Sequence, residues 1–250
     1  MTHNQDFIPI ILAAGKGTRL DPRQRDFSKA LIEINGKPLL YHHFDNLLNL
    51  GFQETILVIG YKAKSFKEIV GNSYKELKIN YVINKEFNKS GTAWSLFITQ
   101  KEWSVLKKQV LFLHGDIFYD PSILDKVLND QRSDLIVLDE SYSVKTKDEM
   151  VVLGDKDKVT SIFKGVPKEG TILGESLGIN KWSPSFMEQF YKLFSIHKDK
   201  YGINLHWEMF LGNLLELSIE DNMEFLGIEG MSWVNINYRE DLQEAKSFSF

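Results

Sequence analysis

Hydrophobic positions in the first half of the chain fall into two alternating patterns. Mostly apolar runs occupy 7–14, 54–60, 79–83 and 109–114, and short runs of this kind are typical of buried parallel strands. Between them, residues 39–50 and 63–70 space their apolar side chains as a helix does. This alternation of strands and helices predicts an α/β fold with a mostly parallel sheet and helices on both faces.

The pattern changes after residue 139. Residues 149–155 and 158–164 predict two antiparallel strands joined by a turn, 174–182 a buried strand, and 184–194 an amphipathic helix. No linker, repeat or low-complexity segment interrupts the chain. We therefore expect a single domain over 7–245, with a small antiparallel subregion at about 144–226 on the acceptor side of the site.

Composition narrows the class of protein. The 250 residues are 43% hydrophobic and 26% charged, which is typical of a globular chain with a substantial core. A net charge of −4 argues against general nucleic-acid binding. The absence of cysteine excludes disulfides and thiol catalysis. The polar start, residues 1–6, lacks a signal or membrane span, so we expect a cytoplasmic protein without membrane insertion.

The first strand runs into a loop with two glycines, Gly15 and Gly17. Glycine lets backbone N–H groups approach a ligand closely, and successive N–H groups form an anion site. Lys16 and Arg19 add positive charge. These residues favour a phosphate site at the carboxyl edge of the sheet. A purely structural turn is equally compatible with them, because the Walker A spacing and the third glycine of the dinucleotide fingerprint are missing.

Two further segments lie at the same predicted edge. Asp116 follows the apolar run at 109–114, and a carboxylate there suits a hard cation such as Mg²⁺. The alternative for Asp116 is a turn or helix cap before Pro121. Residues 90–92, Ser-Gly-Thr, predict the start of a helix, and an ordinary capped helix is the simpler explanation for them.

The segment LAAGKGTRL at 12–20, followed by SKAL at 28–31 and GKPLL at 36–40, resembles the signature of nucleotidyltransferases that join a nucleoside triphosphate to a phosphorylated acceptor. Its pattern is most similar to the phosphocholine and 2-aminoethylphosphonate cytidylyltransferases. Ser28 stands where that family usually has proline. The resemblance implies the Rossmann-like fold of the nucleotide-diphospho-sugar transferase type, and it is strongest in the first forty residues.

The resemblance also implies site residues. Lys16, Arg19 and Lys29 are the expected catalytic cations, and the expected nucleotide-binding residues are Leu12, Ala13, Ala14, Gly15, Gly17, Thr18, Ser90, Gly91 and Thr92. Asp116 and Asn237 are the expected ligands of Mg²⁺, although the family usually has aspartate at the second position. Asparagine can ligate through its carbonyl oxygen but adds no charge. Alternation places Asn235 and Asn237 on one face of a predicted strand.

Four residues are candidates for the acceptor. Lys147 and Lys164 can meet its phosphate, although a solvated surface lysine is equally compatible with either position. Glu175, at the start of a buried strand, can face an amine on the acceptor, and the resemblance to the phosphocholine enzymes implies the same role for Glu208. We therefore expect a cytidylyltransferase that uses CTP and a phosphorylated amino alcohol or phosphonate, with release of pyrophosphate. The alternatives are a sugar-1-phosphate nucleotidyltransferase using UTP, GTP or dTTP, and an inactive nucleotide-binding regulator, which Asn237 suggests.

Overall fold

The computed structural model of the chain describes residues 5–17, 19–20, 28–141, 149–156, 158–167, 169–216 and 223–250. The strands are β1 Phe7–Ala13, β2 Glu33–Ile34, β3 Lys37–Pro38, β4 Glu54–Ile59, β5 Ser73–Tyr74, β6 Leu77–Ile83, β7 Gln109–His114, β8 Ile117–Tyr119, β9 Leu135–Asp139, β10 Met150–Asp155, β11 Lys158–Lys164, β12 Ile172–Trp182, β13 Glu224–Gly227 and β14 Trp233–Asn235. The helices are α1 Leu39–Asn49, α2 Ala63–Val70, α3 Thr92–Phe97, α4 Gln100–Leu106, α5 Ser122–Asn129, α6 Pro184–Tyr201, α7 Trp207–Glu216 and α8 Arg239–Ser247, and a 3₁₀ turn covers Lys29–Leu31.

A ten-stranded sheet runs through the described part of the chain in the order β10-β11-β13-β9-β12-β7-β1-β4-β6-β5. Strands β7, β1, β4 and β6 are parallel neighbours, and every residue of β1 is buried. Because parallel strands need crossover connections, the intervening helices cover the sheet. The predicted parallel half is therefore confirmed.

Helices pack on both faces of this sheet. One apolar cluster joins it to α3, α6 and α7 through residues such as Leu96, Phe190 and Leu211. A second cluster on the opposite face joins it to α1, α2 and α5 through residues such as Phe44 and Val127. This arrangement of layers is the α/β fold that the hydrophobic pattern predicts.

The second half of the sheet is mostly antiparallel. Strand β12 pairs antiparallel with β7, β9 and β10, and β11 pairs antiparallel with β10 and β13. Because β10 contacts both β11 and β12, the strands β10, β11, β13, β9 and β12 close into a ring. The long strand β12 belongs to both halves and so joins them.

One local prediction is wrong. Strand β14 ends at Asn235, and Asn237 lies beyond it, just before α8. Asn235 and Asn237 therefore do not share the face of one strand. The backbone leaves the strand there because the carboxylate of Asp241 accepts hydrogen bonds from the N–H groups of Asn237, at 2.6 Å, and Tyr238, at 2.7 Å, which caps the helix instead of continuing the ladder.

Candidate active site

A cavity of about 340 Å³ opens at the carboxyl ends of β1 and β7. This is the sheet edge at which open α/β folds bind their ligands. Nine of the residues singled out from the sequence lie in its described lining: Leu12, Ala13, Gly15, Lys16, Gly17, Arg19, Lys29, Asp116 and Asn237. The structure thus brings the loop after β1 together with residues that are distant in sequence.

The two glycines of the loop after β1 have different surroundings. A Cβ added at Gly15 would meet no atom within 4 Å. A Cβ at Gly17 would lie 2.6 Å from Cβ of Lys29, and Gly17 has a φ of +62°. Gly17 is therefore required by the fold of the loop, whereas the absence of a side chain at Gly15 leaves open space in the cavity.

Lys29 lies at the centre of the cavity's polar groups. Its Nζ donates to Oδ2 of Asp116 at 2.8 Å and to Oδ1 of Asn237 at 2.8 Å. The Lys29 side chain is only 10% exposed. A carboxylate oxygen and an amide oxygen are thus aimed at one point, which the ammonium group fills.

A pair of short strands brings Asn237 to Asp116. Strands β8 and β14 pair antiparallel, with Asn235 opposite Ile117. The N–H of Ile236 donates to the carbonyl oxygen of Asp116 at 2.8 Å and extends this pairing by one bond. The cap of α8 by Asp241 then fixes the backbone that presents the Asn237 side chain.

The charge of Asp116 is stabilised by its neighbours. Burial raises the pKa of this carboxyl, but the Lys29 ammonium, His114 and hydrogen bonds outweigh burial, so the pKa lies below its usual range. An ionised carboxylate beside an amide oxygen is a donor set that suits a hard divalent cation when phosphate oxygens supply further ligands. Among the residues that the structure describes, no group of three or more His, Asp or Glu side chains is placed to hold a metal ion.

The remaining cations of the loop border the same cavity. Arg19 Nη2 donates to Oδ1 of Asn237 at 3.1 Å, and its guanidinium lies 5.4 Å from the ring centroid of Tyr238. Lys16 lies 5.7 Å from the ring centroid of Phe87. The described lining therefore carries three cations and one carboxylate, which is a charge balance that favours a polyanionic ligand.

A larger cavity of about 610 Å³ adjoins the first, and Gly15, Arg19 and Asp116 are among the residues that line both. Its described lining includes Ala14, Ser90, Gly91, Thr92, Lys164, Glu175 and Glu208. The loop at Ser90–Thr92, which is expected to bind the nucleotide, and three of the predicted acceptor residues therefore face one space. Thr18 and Lys147 lie outside the described residues.

The buried Glu208 and the half-buried His114 form a polar pair in the wall of the larger cavity. Glu208 is 3% exposed, and its Oε1 lies 3.5 Å from Nε2 of His114. Burial raises the pKa of Glu208 to about 8 and lowers the pKa of His114 to about 4. Both groups are therefore mostly neutral at pH 7, and the indole of Trp207 donates to His114 Nε2 at 2.8 Å.

Sequence reasoning missed Asn84, which lines the larger cavity directly after β6. Its Nδ2 donates to Oγ of Ser90 and of Ser95, each at 3.0 Å, and its Oδ1 accepts from the N–H of Glu86 at 2.9 Å. Asn84 thus ties the end of the strand to the loop and to α3. The rule that selected Asp116, a polar residue after a buried parallel strand, would have selected it.

Within the described ranges, no helix combines the length and the apolar character that crossing a bilayer requires.

The chain is similar to known proteins in sequence and in fold. A family model described as "Nucleotidyl transferase" matches residues 8–161. The chain is 25% identical over 243 residues to a UTP–glucose-1-phosphate uridylyltransferase of Haloferax volcanii, covering 95% of this chain and 94% of that protein. It is 26% identical over 217 residues to a choline-phosphate cytidylyltransferase of Streptococcus pneumoniae, covering 84% and 86%. The solved structure of an inositol-1-phosphate CTP transferase from T. maritima superposes with a TM-score of 0.75 at 18% identity over 99% of this chain and 98% of that one.

Proposed function

Because the chain belongs to the nucleotidyl transferase family, we propose that it is a cytidylyltransferase that transfers CMP from CTP to a small phosphorylated or phosphonate acceptor and releases pyrophosphate. The observation that carries the proposal is the set of three cations around Asp116 and Asn237 at the carboxyl edge of the parallel sheet. A triphosphate is the common ligand that needs so much positive charge in so small a space.

The cavity of about 340 Å³ holds the polyphosphate in this proposal. The open space at Gly15 admits phosphate oxygens to the backbone, and Lys16 and Arg19 neutralise their charge. Lys29 leaves Asp116 and Asn237 for the phosphate when the triphosphate binds, because its ammonium is then attracted by a larger negative charge than that of one carboxylate.

The chemical step is an in-line substitution at the α-phosphorus. An oxygen of the acceptor phosphate forms the new bond, the bond to the β-phosphate oxygen breaks, and the electron pair leaves with pyrophosphate. The acceptor oxygen is already ionised, so the step needs no general base. The chain's own residues act by alignment and by neutralising charge on the leaving group, which Lys29 and Arg19 are placed to do.

Nucleotidyltransferases of this family generally use a divalent metal. Asp116 and Asn237 would hold that ion here, because their oxygens point to one position that a cation already fills. The bound ion would neutralise charge on the phosphates. We infer that it is Mg²⁺, since a single carboxylate supplemented by phosphate oxygens suits this ion.

The acceptor binds in the larger cavity, where Lys164 can meet its phosphate and Glu175 and Glu208 can meet a cationic group. Because Glu208 is mostly neutral at pH 7 without ligand, a cationic group of the acceptor would have to lower the pKa of Glu208 on binding, so that the carboxyl releases its proton to solvent and becomes a carboxylate. The relative from Streptococcus pneumoniae, whose name gives choline phosphate as substrate, favours this acceptor class.

A sugar-1-phosphate acceptor is the second candidate. The uridylyltransferase relative, whose name gives glucose 1-phosphate as substrate, is matched over 94% of its length. A neutral Glu208 can donate a hydrogen bond to a sugar hydroxyl as readily as an ionised one can pair with an amine.

Pyrophosphate release tests these functions. CTP, UTP, GTP and dTTP are each combined with choline phosphate, aminoethylphosphonate and glucose 1-phosphate. Release with CTP and one of the first two acceptors supports the proposal, and release only with glucose 1-phosphate supports the second candidate. An inactive nucleotide-binding regulator would give a different result. The wild-type chain would bind triphosphate but release no pyrophosphate with any acceptor, and only the Asn237→Asp variant would release it.

A further inference from the structure

The loop at Ser90–Thr92 is joined directly to the segment that leads into α7. Gly91 N donates to the carbonyl oxygen of Ile203 at 3.0 Å, and Ala93 N donates to that of Leu205 at 3.1 Å. A Cβ added at Gly91 would lie 2.0 Å from the oxygen of Leu205. The two backbones are therefore in contact and cannot move separately without breaking these bonds.

Thr92 adds a side-chain connection between the same segments. Its Oγ1 accepts a hydrogen bond from Trp207 N, the first N–H of α7, at 2.9 Å. The first N–H groups of a helix have no partner within the helix, and a polar residue immediately before it usually supplies one. Here the preceding residue is His206, and the cap comes from Thr92 at the start of another helix.

The first turn of α7 forms part of the larger cavity's wall. The Trp207 indole donates to His114 at 2.8 Å, and Glu208 lies in the lining with 3% exposure. The buried Oε2 of Glu208 has no hydrogen-bond partner among the described residues. Thr92 therefore connects the loop expected to bind the nucleotide, of which it is the last residue, with the helix that carries the carboxyl expected to meet the acceptor.

We propose that Thr92 is a positioning residue that couples the two substrates, with its hydroxyl used to hold α7 and not to bind nucleotide. A nucleotide that orders the loop at Ser90–Thr92 also orders Trp207 and Glu208, so the acceptor meets a preformed wall. The coupling is reciprocal, because each ligand changes the affinity of the other by the same factor. This inference rests on the proposed function and adds to it how the nucleotide end of the site is connected to the acceptor end.

Hydrogen–deuterium exchange of the full chain tests the proposal. The wild type is compared with Thr92→Val, which keeps the shape and loses the hydroxyl, and with Thr92→Ser, which keeps the hydroxyl. Each is measured alone and with Mg²⁺ and the triphosphate that binds the wild type best among CTP, UTP, GTP and dTTP. Ser183→Ala is the matched control, because Ser183 caps α6 through Phe186 N, outside this connection.

We expect the ligand-free Thr92→Val chain to exchange the first amides of α7 about fivefold faster than wild type, which is the effect of losing one cap. Triphosphate should slow exchange at α7 in the wild type, in Thr92→Ser and in Ser183→Ala, but not in Thr92→Val. The dissociation constant of the triphosphate should change less than threefold in Thr92→Val, because the hydroxyl is not a ligand.

Three results would overturn the proposal. Unchanged exchange at α7 in ligand-free Thr92→Val would remove the positioning role, whatever the enzyme does. Equal protection of α7 by triphosphate in Thr92→Val and wild type would remove the coupling. A tenfold or greater loss of triphosphate affinity in Thr92→Val would make Thr92 a nucleotide ligand. If the wild type binds none of the four triphosphates, the proposed function itself fails, and the ligand-free comparison still judges the cap separately.

Discussion

Lys29 is the residue on which the nucleotide end of the site depends most. Its ammonium contacts both Asp116 and Asn237 at 2.8 Å, so it holds together oxygens that would otherwise face each other across the cavity. Because the same charge is available to a phosphate, one side chain serves the free protein and the complex in turn. The resemblance of the segment at 28–31 to a family motif pointed to Lys29, but its two partners come from far along the chain.

Replacing Lys29 by alanine tests this role. We expect kcat/KM for pyrophosphate release to fall by about 100-fold or more, which is typical for the loss of one preorganised charge at a reacting phosphate. Circular dichroism should show an intact fold, whereas the melting temperature should fall because Asp116 loses its ammonium partner. The control is Lys64→Ala on α2, since the Lys64 side chain is 92% exposed. Kinetics of Lys29→Ala equal to those of the control would contradict the assignment.

The raised pKa of Glu208 leads to a prediction about how the stability of the protein depends on pH. Its pKa is about 8 in the folded chain against an ordinary value of 4.5, so between these values the folded state keeps a proton that the unfolded state releases. The free energy of unfolding therefore falls as pH rises through this range. Glu208→Gln, neutral at every pH, should gain stability relative to wild type by about 3 kcal/mol more at pH 8 than at pH 5.

Urea denaturation at the two pH values measures the Glu208 effect. Glu68→Gln is the control, because its side chain is 64% exposed. A difference between Glu208→Gln and wild type that is the same at both pH values would mean that Glu208 is ionised in the folded chain.

Ser28 departs from the proline that the resembling family carries, and its backbone accommodates either residue. Its φ is −65° and its ψ is 145°, values that proline adopts. Its Oγ is buried without a hydrogen-bond partner among the described residues. Ser28→Pro should therefore fold with a free energy of unfolding equal to or about 0.5 kcal/mol above that of the wild type. A loss of more than about 1 kcal/mol in urea denaturation would show that the proline ring does not fit.

At the scale of elements, the two glycines of the loop after β1 have different roles, Gly15 in ligand binding and Gly17 in folding. Gly15→Ala adds a methyl group to open space, so stability should be unchanged, while the triphosphate should bind about tenfold more weakly because the methyl blocks its approach. Gly17→Ala forces a φ of +62° and a contact with Lys29, so it should lower stability by about 1 kcal/mol or more. Thermal unfolding and calorimetric titration measure the two effects.

The opposite ranking of the two glycine variants would contradict this reading of the loop. If Gly15→Ala melted early and Gly17→Ala did not, Gly15 would be the residue that the backbone requires. Equal triphosphate affinity in Gly15→Ala and wild type would place the polyphosphate away from the loop.

The elements of the parallel half could be predicted because each signals itself locally. Strand β4 and helix α2 are fully specified by the length and spacing of their apolar residues. Helix α4 and strands β5 and β8 were missed, since two- or three-residue strands and a seven-residue helix carry too few positions to show a period. The end of β14 was misplaced because a cap by Asp241, and not the strand pattern, decides it.

The site is less predictable than the strands that carry it. That Asp116 lies near the loop follows from the rule for parallel strands, because both follow strands of one parallel sheet. Asn237 joins them because β8 pairs with β14. No local sequence pattern predicts a contact between residues so far apart in the chain. The polar pair of His114 and Glu208 likewise arises only when α7 packs over the sheet.

At the scale of the whole molecule, the two halves of the sheet supply different parts of the candidate site. The parallel half presents the loop after β1 and Asp116 at one edge, and the antiparallel ring supplies Lys164 and Glu175 to the larger cavity. Strand β12, which pairs with β7 as well as with β9 and β10, fixes these halves in register. In our proposal the two substrates meet across this shared strand.

The position of a bound triphosphate tests the central claim most directly. A crystal structure of the full chain with CTP and Mg²⁺ should show the polyphosphate against Gly15, Lys16 and Arg19. The Lys29 ammonium should have moved from Asp116 to a phosphate oxygen, and the metal should lie beside Asp116. A polyphosphate bound away from these residues, with Lys29 still paired to Asp116 and Asn237, would contradict the account.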